Sequence, residues 1–309
     1  MAESKKVVYA ATLGNLVIAI SKFAAAIFTG SSAMLAEAFH STVDTGNELL
    51  LLLGLNRSQK PPDRQHPFGH GKELYFWALI VAVSMFGIGG GMSIYEGISG
   101  ILHPGELQDS IWAYSVLGVA AIFEGYSWTI GYRALRRHRR PGESIWNTVH
   151  RSSNPALFSP FVEDTAALAG IVVAFLGIWL SHVFQTSYLD SSASIFIGLI
   201  LVAAARFLAL ETRGLLVGES ADQQQVESIR SAIQSHRAVK RVGDLLTMQV
   251  GPEQVLVTAN IEFRRDLNTG QLETAVDQIE EAVRQKEPEV KRIFFEAEGL
   301  SGRQSRQAA

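Results

Sequence analysis

The sequence predicts an α-helical membrane domain of six spans joined to a small cytoplasmic α+β domain. Three observations predict it. Apolar residues make up 47% of the 309 residues and the mean hydropathy is +0.15, richer than a soluble protein that must keep a charged surface. Most of this excess lies before residue 217, in runs about 20 residues long, the length a helix needs to cross a hydrocarbon core of about 30 Å. After Gly214 the composition changes to Arg, Glu, Gln and Asp on periodic faces.

Taken in order, the apolar runs place spans over roughly 7–29, 33–55, 74–100, 110–133, 156–181 and 189–212. The loops between them alternate in charge. Lys5 and Lys6 precede the first span, Arg57, Lys60, Arg64 and Lys72 follow the second, and Arg133, Arg136, Arg137, Arg139, Arg140 and Arg151 follow the fourth. TGSS, LHPGELQDS and HVFQTSYLD carry no Lys or Arg. By the positive-inside rule both termini are cytoplasmic, with the plasma (inner) membrane as the location if the source is bacterial. MAESKK enters a first span too long for a signal-peptide core, so residue 1 is expected to be retained.

Beyond the last span, VESIRSAIQSH has helical spacing. LLTMQVG and QVLVTANIEFRR read as strands around a Gly251-Pro252 turn, LETAVDQIEEAVRQK as a helix and VKRIFFEAE as a last strand. The order αββαβ predicts a two-layer ferredoxin-like domain. The expected division is 1–214 for the membrane domain, 215–300 for the cytoplasmic domain and 301–309 for a disordered tail.

Charge and cysteine usage exclude several classes. The net charge is only −3 and no basic run is interleaved with aromatics, so no nucleic-acid partner is expected. Without cysteine there are no disulfides and no thiolate sites, and any metal must be held by His, Asp, Glu or amide oxygens. No resident cofactor is called for.

Span two breaks the apolar pattern. At 100° per residue Glu37, His40, Asp44 and Asn47 share one narrow face, with Glu48 at its margin. An ionisable side chain at mid-bilayer costs about 2.5–3.5 kcal/mol, which a functional role must justify. His40 and Asp44 are one turn apart, so an imidazole nitrogen and a carboxylate oxygen can converge on a small divalent cation. A buried polar stripe can also serve only to join helices. Span five offers a partner in Glu163 and Asp164, which as neighbours point about 100° apart. Asn15, Lys22, Glu124 and Arg206 are further polar residues within spans, Lys22 and Arg206 reading as structural. In the loop, DRQHPFGHGK presents Asp63, His66 and His70, a candidate second divalent site.

FHSTVDTGN followed by DRQHPFGHGK, six spans and a cytoplasmic αββαβ domain resemble the cation diffusion facilitators over nearly the whole chain. The resemblance implies a tetrahedral site built from HxxxD or DxxxD pairs in spans two and five. His40 and Asp44 match the first pair. Asp164 matches the second, but Pro160 stands four residues earlier and has no ligand atom; the EDTAAL string is similar to a divergent branch of zinc-transporter-nine-type proteins. The fourth ligand is then Asn47, almost in line with His40 and Asp44, or Glu163 if the proline reorganises span five.

The resemblance further implies a loop site at Asp63, His66 and His70, a Lys72 pairing with an acidic residue at the end of span six where this chain has Val217, and a homodimer formed through the soluble domain. That domain has one histidine, His236, with Gly243, Asn260 and Phe295 at the family's metal positions, so no binuclear site is expected there; Glu296 and Glu298 read as solvated edge charges. The expected activity is efflux of a divalent cation, Zn²⁺ before Mn²⁺, Fe²⁺ or Co²⁺, in exchange for protons. A non-transporting partner subunit is the alternative. An intramembrane metallohydrolase fits less well, since no HExxH string occurs.

Overall fold

A computed structural model of the chain describes residues 2–104 and 111–297, and side chains from residue 15 onward. Glu298, the expected tail 301–309 and part of the LHPGELQDS loop lie outside the described residues. The chain divides into two compact units. One takes the chain up to Arg57 and again from Glu73 to Arg213; the other takes Ser58–Lys72 and the chain from Gly214 onward.

The first unit is helical. Its elements are α1 (Ala2–Thr29), α2 (Ser32–Ser58), α3 (Glu73–Ser84), a π turn (Met85–Gly90), α4 (Gly91–Leu102), α5 (Ile111–His138), α6 (Ile145–Arg151), α7 (Pro155–Phe184) and α8 (Tyr188–Val217). Among the described residues, three stretches are long and apolar enough to cross a membrane: Glu73–Leu102, Pro155–Phe184 and Tyr188–Val217. In α1 the described apolar part, Asn15–Thr29, is shorter. α2 and α5 have 27 and 28 residues, but they carry Glu37, Asp44, Glu48 and Arg57 in one and Glu124, Arg133, Arg136 and Arg137 in the other. In α2 the polar stripe that marks a candidate site, Asp44 among it, also lowers the helix's apolar signal.

Local chemistry sets the helix ends. Gly30 has φ +64°, a left-handed conformation that stops α1 without a Cβ clash. The next helix is capped from a distance: Ser31 Oγ donates to Asp190 Oδ1 at 2.7 Å and the Ala33 amide to Asp190 Oδ2 at 3.4 Å, so a carboxylate of α8 meets the amides that open α2. α6 lies within the basic loop between the fourth and fifth spans, where the sequence predicts no element. Ser144 caps it, accepting from the Asn147 amide at 3.1 Å, and Arg151 ties it back through Glu143 at 3.2 Å and the His138 carbonyl at 2.8 Å.

The glycines of GIGGG bring two helices into backbone contact. A Cβ on Gly90 would lie 2.7 Å from Val202 Cγ2 and 3.2 Å from the Gly198 carbonyl; one on Gly97 would lie 2.6 Å from the Ser191 carbonyl. Ser194 Oγ donates to the Ser93 carbonyl at 2.7 Å across the same seam. Small residues are what permit this approach. A π turn lies within the span expected over 74–100, immediately before Gly91.

The second unit contains α9 (Gln223–Gln234), β1 (Val239–Gly251), β2 (Gln254–Phe263), α10 (Thr269–Lys286) and β3 (Val290–Ala297), the αββαβ order. The sheet order is β1-β2-β3, with β1 and β2 antiparallel and β2 and β3 parallel. Val255, Val257, Ala259 and Ile261 alternate onto one face and pack with Ile229, Ile233, Ile279 and Val283 of the two helices. β1 starts well before the expected Leu245, because irregularities at Val239/Arg241 and Val242/Leu245 let the polar KRVGD segment stay paired. Asp222 caps α9, and Asn268 with Gln271 forms a capping box on α10.

Ser58–Lys72 joins this unit rather than the helical one. Gly71 lies directly on the β1–β2 turn: a Cβ there would sit 2.5 Å from the Val250 carbonyl and 2.6 Å from Gly251 Cα.

Candidate metal site

α2 brings most of its polar stripe into the helical unit's interior. Glu37, His40 and Asn47 are buried, and Asp44 is 14% exposed through its side chain. His40 Nδ1 and Asp44 Oδ1 stand 3.4 Å apart, without the alignment of a hydrogen bond. Both ring nitrogens of His40 and Asp44 Oδ1 are buried and have no partner. A buried polar atom left unsatisfied costs about 1–3 kcal/mol, so such atoms on one helix face call for a ligand.

α7 faces this stripe. Asn47 Nδ2 donates to Glu163 Oε2 at 3.0 Å, joining the two alternatives for a fourth ligand. The bond uses one side of each group. Asn47 Oδ1 and Glu163 Oε1 remain buried and unpartnered, as does Asp164 Oδ2. Glu163 and Asp164 therefore both offer an oxygen despite their angular separation. α7 runs through Pro160 as one helix, whose missing N–H removes a backbone donor just before these carboxylates. The stripe's neighbours are bonded. Lys22 Nζ donates to Glu37 Oε2 at 2.9 Å and to Ser41 Oγ at 2.7 Å, and Asn15 Nδ2 donates to Glu48 Oε1 at 2.8 Å.

The loop trio has the opposite character. Ligand atoms of Asp63, His66 and His70 all lie within 4.8 Å of one another, the one such group of three or more among the described residues. Asp63 Oδ1 accepts from the amides of Gln65 at 2.8 Å and His66 at 2.7 Å, while Oδ2 is 3.1 Å from His70 Nε2. The His66 amide above all, with the His70 ring and Gln65 amide, holds the Asp63 carboxyl down to about 2. In the membrane stripe, by contrast, no three His, Asp or Glu side chains bring ligand atoms that close together.

The chain's remaining candidates fall elsewhere. Lys72 Nζ donates to the Leu216 carbonyl at 3.2 Å, one residue before Val217. His236 hydrogen-bonds Gln278 at 3.0 Å, and Asn260 is buried in β2.

Residues 8–217 match the family of cation efflux transmembrane domains, and residues 221–298 match the cation efflux protein cytoplasmic domain. The chain belongs to the cation efflux family. Among its relatives is the human "Proton-coupled zinc antiporter SLC30A9, mitochondrial", 33% identical over 259 residues, which cover 84% of this chain and 46% of that protein. The chain thus spans about half the length of the SLC30A9 relatives it matches. The Bacillus subtilis "Manganese efflux system protein MneP" is 23% identical over 301 residues, covering 96% of this chain and 93% of that one. Escherichia coli "Cation-efflux pump FieF" is 26% identical over 289 residues, with 92% and 89% covered. Cation efflux relatives carry the names of antiporters and efflux proteins rather than enzymes, which sets the metallohydrolase reading aside.

Sequence reasoning found the His40 and Asp44 pairing from spacing but missed that Asn47 and Glu163 bond to each other. Their polar character inside apolar helices was visible; the bond between residues 116 apart was not.

Proposed function

We propose that this chain exports a divalent metal cation across a membrane in exchange for protons, zinc first among the candidates. The buried, unpartnered His40 and Asp44 donors on one face of α2 are the observation that carries the reading. Asp164 and the bonded pair Asn47 and Glu163 complete the donor set, so Asn47 and Glu163 need not be exclusive alternatives. One imidazole among oxygen donors accepts zinc and leaves manganese, iron(II) and cobalt as competing cargoes.

Proton coupling follows from the ligands. A cation binds deprotonated carboxylate and neutral imidazole, so protons and metal compete for the same atoms. Carrying the empty site back protonated makes the cycle an antiport, within the alternating-access scheme of secondary transporters. In this reading six helices span the membrane, both termini lie in the cytoplasm, the αββαβ domain is ferredoxin-like, and two copies associate through it. Asp63, His66 and His70 form a loop site that feeds or regulates the path. The test is zinc flux into proteoliposomes under an imposed proton gradient, comparing wild type with Asp44→Ala. Gradient-driven flux in wild type alone supports the reading; equal flux in the variant overturns it.

A further inference from the structure

The ion pair of Lys22 and Glu37 is not needed to explain the site just described. Both side chains are completely buried. Removing two charges from water is costly, and a structural pair of this kind is commonly replaceable by apolar residues without loss of stability. Its position is what separates it from a simple brace. Glu37 is three residues before His40 and Ser41 is one after it, so the Lys22 ammonium bonds to α2 on either side of the imidazole.

The ammonium rests in an oxygen seat that any small cation would recognise. Glu37 Oε2 at 2.9 Å and Ser41 Oγ at 2.7 Å are its acceptors. Glu37 Oε1 is buried with no partner. It packs against α7 at Gly170, where any Cβ would collide with it. The glycine makes room for that oxygen against the helix that also carries Glu163 and Asp164.

We propose that the Glu37 carboxylate and Ser41 hydroxyl, flanking His40 along α2, form a second cation station on the transport path, which the Lys22 ammonium fills whenever the metal does not. This rests on the transport reading for its place in a path, but the station is defined by its own atoms. A lysine suits the role because its charge sits on a flexible four-carbon stem and can withdraw. The station's donors are all oxygen, harder than the imidazole beside it, so manganese is its better probe. A metal leaving His40 would meet a carboxylate only after displacing the ammonium, which then returns and prevents back-binding.

The test measures Mn²⁺ bound per chain by equilibrium dialysis of the purified full-length protein, in an Asp44→Ala background. Lys22→Gln should add one equivalent, Lys22→Arg should add none, and Lys22→Gln with Glu37→Gln should lose the gained equivalent. Because the background already lacks Asp44, the gain appears or fails whatever becomes of the antiport reading, which flux decides. A second measurement needs no change at Lys22. Amine acetylation of wild type, read at Lys22 by mass spectrometry, should rise several-fold when saturating Mn²⁺ displaces the ammonium, whereas a purely structural ion pair would leave it unchanged. An unchanged Mn²⁺ stoichiometry in folded Lys22→Gln, or unchanged acetylation, overturns the proposal.

Discussion

The α2–α7 stripe and the Ser58–Lys72 loop hold the same kinds of ligand in opposite states. On α2 and α7 the donors are largely buried and spread out, and each keeps at least one buried atom without a partner. In the loop they are largely exposed, gathered within 4.8 Å and already bonded to one another. The difference teaches what each can do. Buried donors gain most from a cation because nothing else satisfies them. Loop donors are preorganised, but an arriving cation must compete with water and with the bonds they already make.

The largest expected effect tests the buried half of this contrast. Asp44→Ala should lower metal affinity at the membrane site by about 100-fold or more and abolish gradient-driven flux, since a lost ligand is at least as costly as a lost supporting bond. Size-exclusion chromatography should still show a folded protein. Retained zinc/proton exchange would remove the stripe from the mechanism.

Next in size is the bond between α2 and α7. Asn47→Ala and Glu163→Gln should each weaken binding by about tenfold, the range for groups that support a metal site. Because the two groups touch, the double variant should cost less than the sum of the single effects. Additive losses in calorimetric titrations would mean that each acts alone.

A smaller effect is expected in the loop. Replacing His66 and His70 together by alanine should slow transport a few-fold without ending exchange, because the buried donors remain. Complete loss of flux with unchanged membrane-site affinity would place the loop on the obligatory path. The loop carboxylate gives this comparison a pH signature. Asp63 has a depressed value when folded, so its stabilising bonds are complete above its ordinary range near about 4 and are lost as pH falls through about 2. Asp63→Asn should therefore weaken loop binding by the same factor at pH ~5 and at pH ~8. A factor that shrinks toward pH ~5 would show a carboxyl titrating far above its expected range.

The smallest effect concerns the loop's support. Gly71→Ala should destabilise the second unit by about 1–3 kcal/mol through overpacking against the β1–β2 turn. Thermal unfolding followed by circular dichroism should detect it, with membrane-site affinity unchanged.

Spacing along one helix made His40 and Asp44 legible in the sequence, and alternation made the strands of the small domain legible. What escaped were relations between segments. The joining of Ser58–Lys72 to the β1–β2 turn depends on two glycines about 180 positions apart, Gly71 and Gly251. α6 escaped because a short helix held by Ser144 and Arg151 has too few residues to display a period. The partner of Lys22 needed two helices in register before it could be named.

The Gly90 and Gly198 seam has a mechanical meaning. Backbones pressed this closely leave no side-chain cushion along which one helix could roll over the other, so α4 and α8 travel as a single strut. In the proposed transport cycle, opening and closing are then expected at other seams, where larger side chains can exchange neighbours. Trp128 stacked on Tyr132 and packed beside Phe161 marks one of them, between α5 and α7. The proposed cycle would then set a close-packed helix pair beside a seam that is free to repack.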